Sequence, residues 1–225
     1  MRTALSILAA GLIALPAMAA DKTEVNKIRD AEAVLKASVS APDRGIPKEM
    51  LERADCIAVF PGVKKAAFVV GGEWGRGVVT CRQSDGSMGA PAFFSMGGGS
   101  FGWQAGVEEA DLVLLIMNPD GVKHLLEDHF TLGGEAAAVA GPVGRTAAAA
   151  TDAQMHAQIL SWSRSRGLFA GLSLAGTVIK PNGKAMERFY GKPVSARDAL
   201  VERSVPIPKE ARSFVETTSE CARHS

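Results

Sequence analysis

The residues with the types and spacing for chemistry crowd one glycine-rich stretch. Gly97-Gly98-Gly99-Ser100-Phe101-Gly102 satisfies two patterns at once. As GxGxxG it would hold a dinucleotide pyrophosphate on the N-terminus of a following helix. As GxSxG it would expose Ser100 on a hydrolase elbow, with Asp120 or Asp152 and His129 or His156 completing a triad. Both chemistries require a strand, a tight turn and then a helix. The residues that follow, Phe101 to Val107, alternate large and small side chains, as a strand does. The glycines are therefore expected to form a turn or bulge. No catalytic residue is assigned, and a hydrolase using Ser100 is kept only as a second alternative. His124 and His129 flank Glu127 and Asp128, but their five-residue spacing makes them diverge on a helix, where zinc motifs need four. No metal ligand and no cofactor is assigned.

Two further groups of residues carry a chemical expectation. Cys56 and Cys81 lie in separate strand-like runs, and neighbouring strands would bring them to bridging distance. Closing a loop of about 25 residues would contribute roughly 3 kcal/mol in the chain-entropy model. The alternative is that both are small buried hydrophobes. Cys221 is left over near the C-terminus. Lys64, Lys65, Arg76, Arg82, Arg145, Arg164 and Arg166 fall at or near strand ends and glycine turns. Gathered on one face they would form a phosphate site, because the arginine fork binds oxyanions bidentately. The alternative is scattered, solvated charge. Trp74, Phe101, Trp103 and Trp162 are expected in the core.

The elements that must position these residues follow from composition and period. The chain has 225 residues, of which 47% are hydrophobic and 22% charged, which excludes a disordered polyampholyte. The net charge of +1 excludes whole-molecule attraction to nucleic acid. Arg2, the apolar run Ala4–Leu15, Pro16 and Ala17-Met18-Ala19 read as a signal peptide, residues 1–19, cut after Ala19. The run is shorter than the roughly 20 residues of a spanning helix. The expected location is periplasmic, an oxidising compartment that permits disulfides. The remaining chain, 20–225, is expected to be one domain.

Val25, Ile28, Ala31, Leu35 and Val39 recur at helical spacing, predicting an amphipathic helix over 21–40. A short helix follows over Lys48–Ala54. Runs at Cys56–Phe60, Ala66–Gly71, Gly77–Arg82, Pro91–Met96, Phe101–Gly106 and Asp111–Met117 read as strands, separated by Pro61-Gly62, Gly71-Gly72 and Ser84-Asp85-Gly86. Eleven glycines between Gly71 and Gly106 imply bends or close backbone approach. Val122–His129 predicts a short helix; Gly133–Thr151 is ambiguous. Ile159–Ser163, Leu168–Leu174 and Thr177–Lys180 read as strands. Ser195 with Asp198 is a capping box, and Pro208 opens a C-terminal helix, 208–222. The fold class is α+β: a curved, glycine-rich, mainly antiparallel sheet, barrel- or sandwich-like, with flanking helices.

These segments together resemble one family. Phe60–Val79, Ala90–Gly106, Asp111–Asn118, Leu132-Gly133-Gly134, Gly141-Pro142-Val143-Gly144-Arg145, Ser163–Gly171 and Phe189-Tyr190-Gly191 are similar, in order, to the motifs of the SYLF-domain family, also called the Ysc84 or DUF500 family. The resemblance runs from about residue 25 to 200. It implies a lipid-binding module without enzymatic activity; eukaryotic members are described as binding phosphoinositides, and some yeast members bind actin. In an exported bacterial protein the corresponding ligands would be anionic phospholipids such as phosphatidylglycerol or cardiolipin, met by peripheral membrane contact. Lys64, Lys65, Arg76, Arg145, Arg164 and Arg166 are the expected phosphate contacts. Val25, Ile28, Leu35 and Val39 are the expected insertion face of the first helix. Glu24, Asp30 and Glu32 dilute that helix's basic face, so docking onto the domain's own core is its alternative. A protein-interaction or envelope-structural module is the alternative function.

Overall fold

The computed structural model describes residues 21–41, 45–142, 156–165, 168–171 and 174–223, and no side chain of 66–71, 100–108 or 168–171. Residues 1–19, the expected signal peptide, and Arg145 and Arg166 lie outside the described residues. The predicted first helix is α1 (Lys22–Ser40), started by Asp21, whose carboxylate accepts the Thr23 N–H. Pro47 precedes α2 (Lys48–Arg53).

The six strand-like runs between residues 56 and 117 are two strands. β1 (Cys56–Cys81) and β2 (Ala92–Ile116) form one antiparallel hairpin, in register from Cys56↔Ile116 to Val79↔Ala92. Pro61-Gly62 does not end a strand, as its turn-like character predicts. It lies in a register shift between Phe60 and Val63, where Gly62 takes φ +62° and donates its N–H to the Asp111 carboxylate. A bulge is where a sheet tolerates proline, which has no donor for the ladder.

This ribbon curls on itself. Straight, the 26 residues of β1 would span roughly 85 Å at about 3.3 Å each. Yet a disulfide joins its two ends, Cys56 to Cys81. The later half of β1 therefore lies against its earlier half. A Cβ at Gly77 would come within 2.5 Å of the Phe60 ring, and one at Gly75 within 2.8 Å of Val63. Glycine is what lets the strand cross itself.

The other edge of β2 takes two further groups of strands. β7 (Val178–Pro181) pairs with Phe94–Gly97 and carries β3 (Phe130–Thr131) on its far side. β5 (Ile159–Ser165) pairs with Asp111–Ile116 and carries β6 (Leu168–Gly171) and the parallel β4 (Ala138–Ala140). The result is a seven-stranded, mainly antiparallel, curled half-barrel with flanking helices. Its core includes Phe60, Phe93, Phe94, Leu112, Phe130 and Trp162. Of the aromatics expected inside, Trp162 and Trp74 have described side chains, and Trp162 is buried. Trp74 is 51% exposed, because β1 alternation turns Glu73 inward and Trp74 outward. Phe101 and Trp103 are among the side chains not described.

The remaining helices are α3 (Pro119–Leu125), α4 (Gly183–Tyr190), α5 (Ala196–Leu200) and α6 (Arg212–Cys221), the last preceded by a 3₁₀ turn at Lys209–Ala211. α3 starts earlier than its period suggests, because Asn118 caps it and Pro119 opens it. α4 has no counterpart among the expected elements; Asn182 starts it by accepting the Ala185 N–H. The capping box at Ser195 and Asp198 is formed at α5.

Candidate functional site

The described cations of the expected phosphate site stand beside separate acids. Lys64 is exposed and stands opposite Glu109 across the ribbon. Lys65 is held 3.3 Å from the inward Glu73, which also accepts the Thr177 hydroxyl. Arg164 faces its cross-strand neighbour Asp111, with Nε 2.9 Å from Oδ2. That same carboxylate receives the Gly62 N–H, so the pair pins the bulge.

Arg76 meets a cation that the sequence reading did not select. Its Nη1 lies 3.1 Å from Oε1 of Glu24, and Nε of Arg188 lies 3.1 Å from the same oxygen. Glu24 comes from α1, Arg76 from β1 and Arg188 from α4. The carboxylate is fully buried, while the two arginine side chains remain 35% and 42% exposed. Asp21 adds a second acid 3.9 Å from Arg188. Two partly exposed guanidiniums thus converge on one buried carboxylate, and such guanidinium groups bind carboxylates and phosphates. Nothing in the residue order pointed to Arg188, because the helix that presents it was not foreseen.

α1 is docked on the domain's own core. Ile28 and Leu35 are 1% and 0% exposed, Val25 packs against the core, and only Val39, at 36%, faces out. Of the expected insertion residues, the two largest inner ones are thus unavailable to a membrane while α1 is seated. Glu32 anchors the other side of the helix: it accepts from Ser213 of α6 at 2.8 Å and pairs with Lys36. Burial pushes its carboxyl up, but the hydrogen bonds from Lys36 and Ser213 outweigh this and hold it below the ordinary range.

The other suggestive residues are occupied structurally. Ser100 pairs with Gly71 inside the ribbon, so neither the elbow nor the dinucleotide turn forms at 97–102. α3 ends at Leu125, and His124 contacts Glu127. A cleft of about 440 Å³ opens beside the disulfide, lined in part by Asp55, Arg82, Lys123, Leu126, Leu200 and Arg203. Its cations have partners: Arg82 donates to the carbonyls of Leu51, Glu52 and Ala54, capping α2, Lys123 pairs with Asp120, and Arg203 donates to the Ser84 hydroxyl. Among the described residues, no three His, Cys, Asp or Glu side chains converge as a metal would require.

Comparison with known proteins identifies the family. A sequence model of the Ysc84 family, described as "Las17-binding protein actin regulator", matches residues 97–221. The yeast LAS seventeen-binding protein 3 (Saccharomyces cerevisiae) is 37% identical over 173 residues, covering 76% of this chain and 38% of the relative. The yeast Protein YSC84 is 36% identical over 176 residues, covering 77% and 37%. The mouse SH3 domain-containing YSC84-like protein 1 (Mus musculus) is 32% identical over 180 residues, covering 80% and 52%. The chain therefore spans about half or less of the length of these curated relatives. The family description and the name of LAS seventeen-binding protein 3 are those of binding proteins. The chain belongs to the Ysc84, or SYLF-domain, family.

Proposed function

We propose that the chain is a non-enzymatic module that binds anionic phospholipid surfaces. The observation that carries this reading is the convergence of Arg76 and Arg188 on Glu24, with both guanidiniums still partly exposed. The outer N–H groups of such a pair suit phosphate oxygens. Binding takes place with α1 docked. Exposing Ile28, Val34 and Leu35 would cost about 1.5–3 kcal/mol each, a large share of the roughly 5–15 kcal/mol that holds a domain folded. Lys64 adds solvent-facing charge, and Arg145 and Arg166 are further contacts by family resemblance. Export after removal of residues 1–19 places this activity in the periplasm, where phosphatidylglycerol or cardiolipin would be the ligand. The Cys56–Cys81 bridge suits that compartment. The test is cosedimentation of the full chain with vesicles of phosphatidylglycerol and phosphatidylcholine. Binding to these, and not to phosphatidylcholine alone, supports the reading; equal or absent binding contradicts it.

A second reading, a protein-interaction module, is favoured by the family description, which names Las17 binding and actin regulation, and by the name of LAS seventeen-binding protein 3. A folded chain that ignores anionic vesicles would move the assignment there.

A further inference from the structure

We propose that the outward face of the ribbon around Trp74 is the part of the protein that enters the headgroup layer, a proposal that rests on the lipid reading above. Register fixes which residues share this face. Trp74 pairs with Gly97, which pairs with Val178. Two residues along lies the row Arg76, Ser95 and Lys180, and on the other side the row Gly72 and Gly99. The alternate row, Gly75, Met96, Ile179 and Phe130, points to the core, and its last three members are buried. Trp74 is thus a large aromatic standing outward, 51% exposed, on a strongly paired strand.

The glycines beside it differ from those of the inner face. A Cβ at Gly75 or Gly77 would clash at 2.8 or 2.5 Å. Among the described residues, a Cβ at Gly72 or Gly97 would meet nothing nearer than 3.6 Å, and one at Gly99 nothing within 4 Å. Internal packing therefore requires the inner glycines and not the outer ones, although glycine weakens a strand. What the outer glycines give is a flat floor over which Trp74 projects. A planar surface can approach such a floor closely, whereas it offers no walled pocket for a protein side chain.

The charge of the face selects the occupant. Arg76 and the exposed Lys180 lie in the row next to Trp74. No described residue of these rows is a carboxylate. Glu73 points inward to Thr177 and Lys65, and Glu24, beside Arg76, is fully buried. The exposed Glu135 accepts the Thr131 N–H at the far edge of the sheet. An amphipathic indole with flanking cations suits the interface of an anionic bilayer, where tryptophan rings settle at headgroup level.

The test uses the full chain with phosphatidylglycerol vesicles, with and without a lipid carrying a doxyl quencher near the headgroup. Trp74 emission is expected to be quenched on binding. In a Trp103→Phe background, Trp74→Phe is expected to bind and to lose that quenching, with the buried Trp162 as the unquenched internal reference. Trp74→Ala and Lys180→Glu are each expected to weaken binding by about tenfold, with circular dichroism unchanged because both sites are exposed. Wild-type binding that Trp74→Ala leaves intact, or quenching that Trp74→Phe leaves intact, overturns the proposal while sparing the lipid reading. Such a result would leave the face to a protein partner. Wild type that fails to cosediment overturns both.

Discussion

Trp162 shows how single residues hold this fold. Its indole fills the space beside Gly141, where a Cβ would sit 2.1 Å from a ring carbon. Its Nε1–H donates to the Pro142 carbonyl at 2.8 Å. The Gly-Pro pair is thus a seat for one side chain. Gly141→Ala should destabilise the domain by about 3 kcal/mol, the upper range for overpacking a core. Urea unfolding of the variant checks it; an unchanged midpoint would show that the seat can relax. The motif Gly141-Pro142 was visible in the sequence, but its reason was not, because the partner lies twenty residues away. The same holds for Trp74. Its type suggested the core, and only strand phase and register show that it faces out.

At the scale of elements, α1 was legible as a helix but not in its destination. Its apolar period is the same for a core-facing and a membrane-facing helix. Glu24 and Glu32, which dilute its basic face, are the residues that dock it. Removing a partner from a buried ion pair typically costs about 3–5 kcal/mol. With both arginines partly exposed, Glu24→Ala should cost about 2 kcal/mol, read as a lowered thermal midpoint. If the arginines hold α1 without Glu24, no shift will be seen.

Glu32 gives a pH dependence with a definite sign. Its folded carboxyl lies below the ordinary value, so its contribution is fully present above the unfolded carboxylate range. That contribution is lost as pH falls through the lowered folded value. Glu32→Gln should therefore flatten the acid side of the stability profile below about pH 4.5 and leave its shape above that unchanged. α4, by contrast, was missed. Its start depends on the Asn182 cap rather than on a long apolar period, and with it went Arg188.

For the whole molecule, the glycine density announced a curved sheet, and the structure is one. What could not be read was continuity. Pro61-Gly62 and Gly71-Gly72 look like chain reversals, yet both lie within β1, the first as a bulge and the second paired with Gly99 and Ser100. A turn and a bend use the same residues; pairing partners distinguish them, and those partners are about 27–50 residues apart in sequence. The curl brings Cys56 and Cys81 together, so reduction should lower stability by about 3 kcal/mol. Unfolding with and without reductant, alongside Cys56→Ala, measures this. Identical curves would mean that the sheet closes without the bridge.

The same curl presents Trp74, Arg76 and Lys180 on one outward face, so the proposed membrane contact would belong to the molecule rather than to one helix. The most direct measurement is the salt dependence of binding to phosphatidylglycerol vesicles by the full chain. The account predicts affinity that falls steadily with salt, by roughly the contribution of a few cations at about 1 kcal/mol each, and no binding to neutral vesicles. Binding that is indifferent to salt, or equal on neutral vesicles, would contradict it.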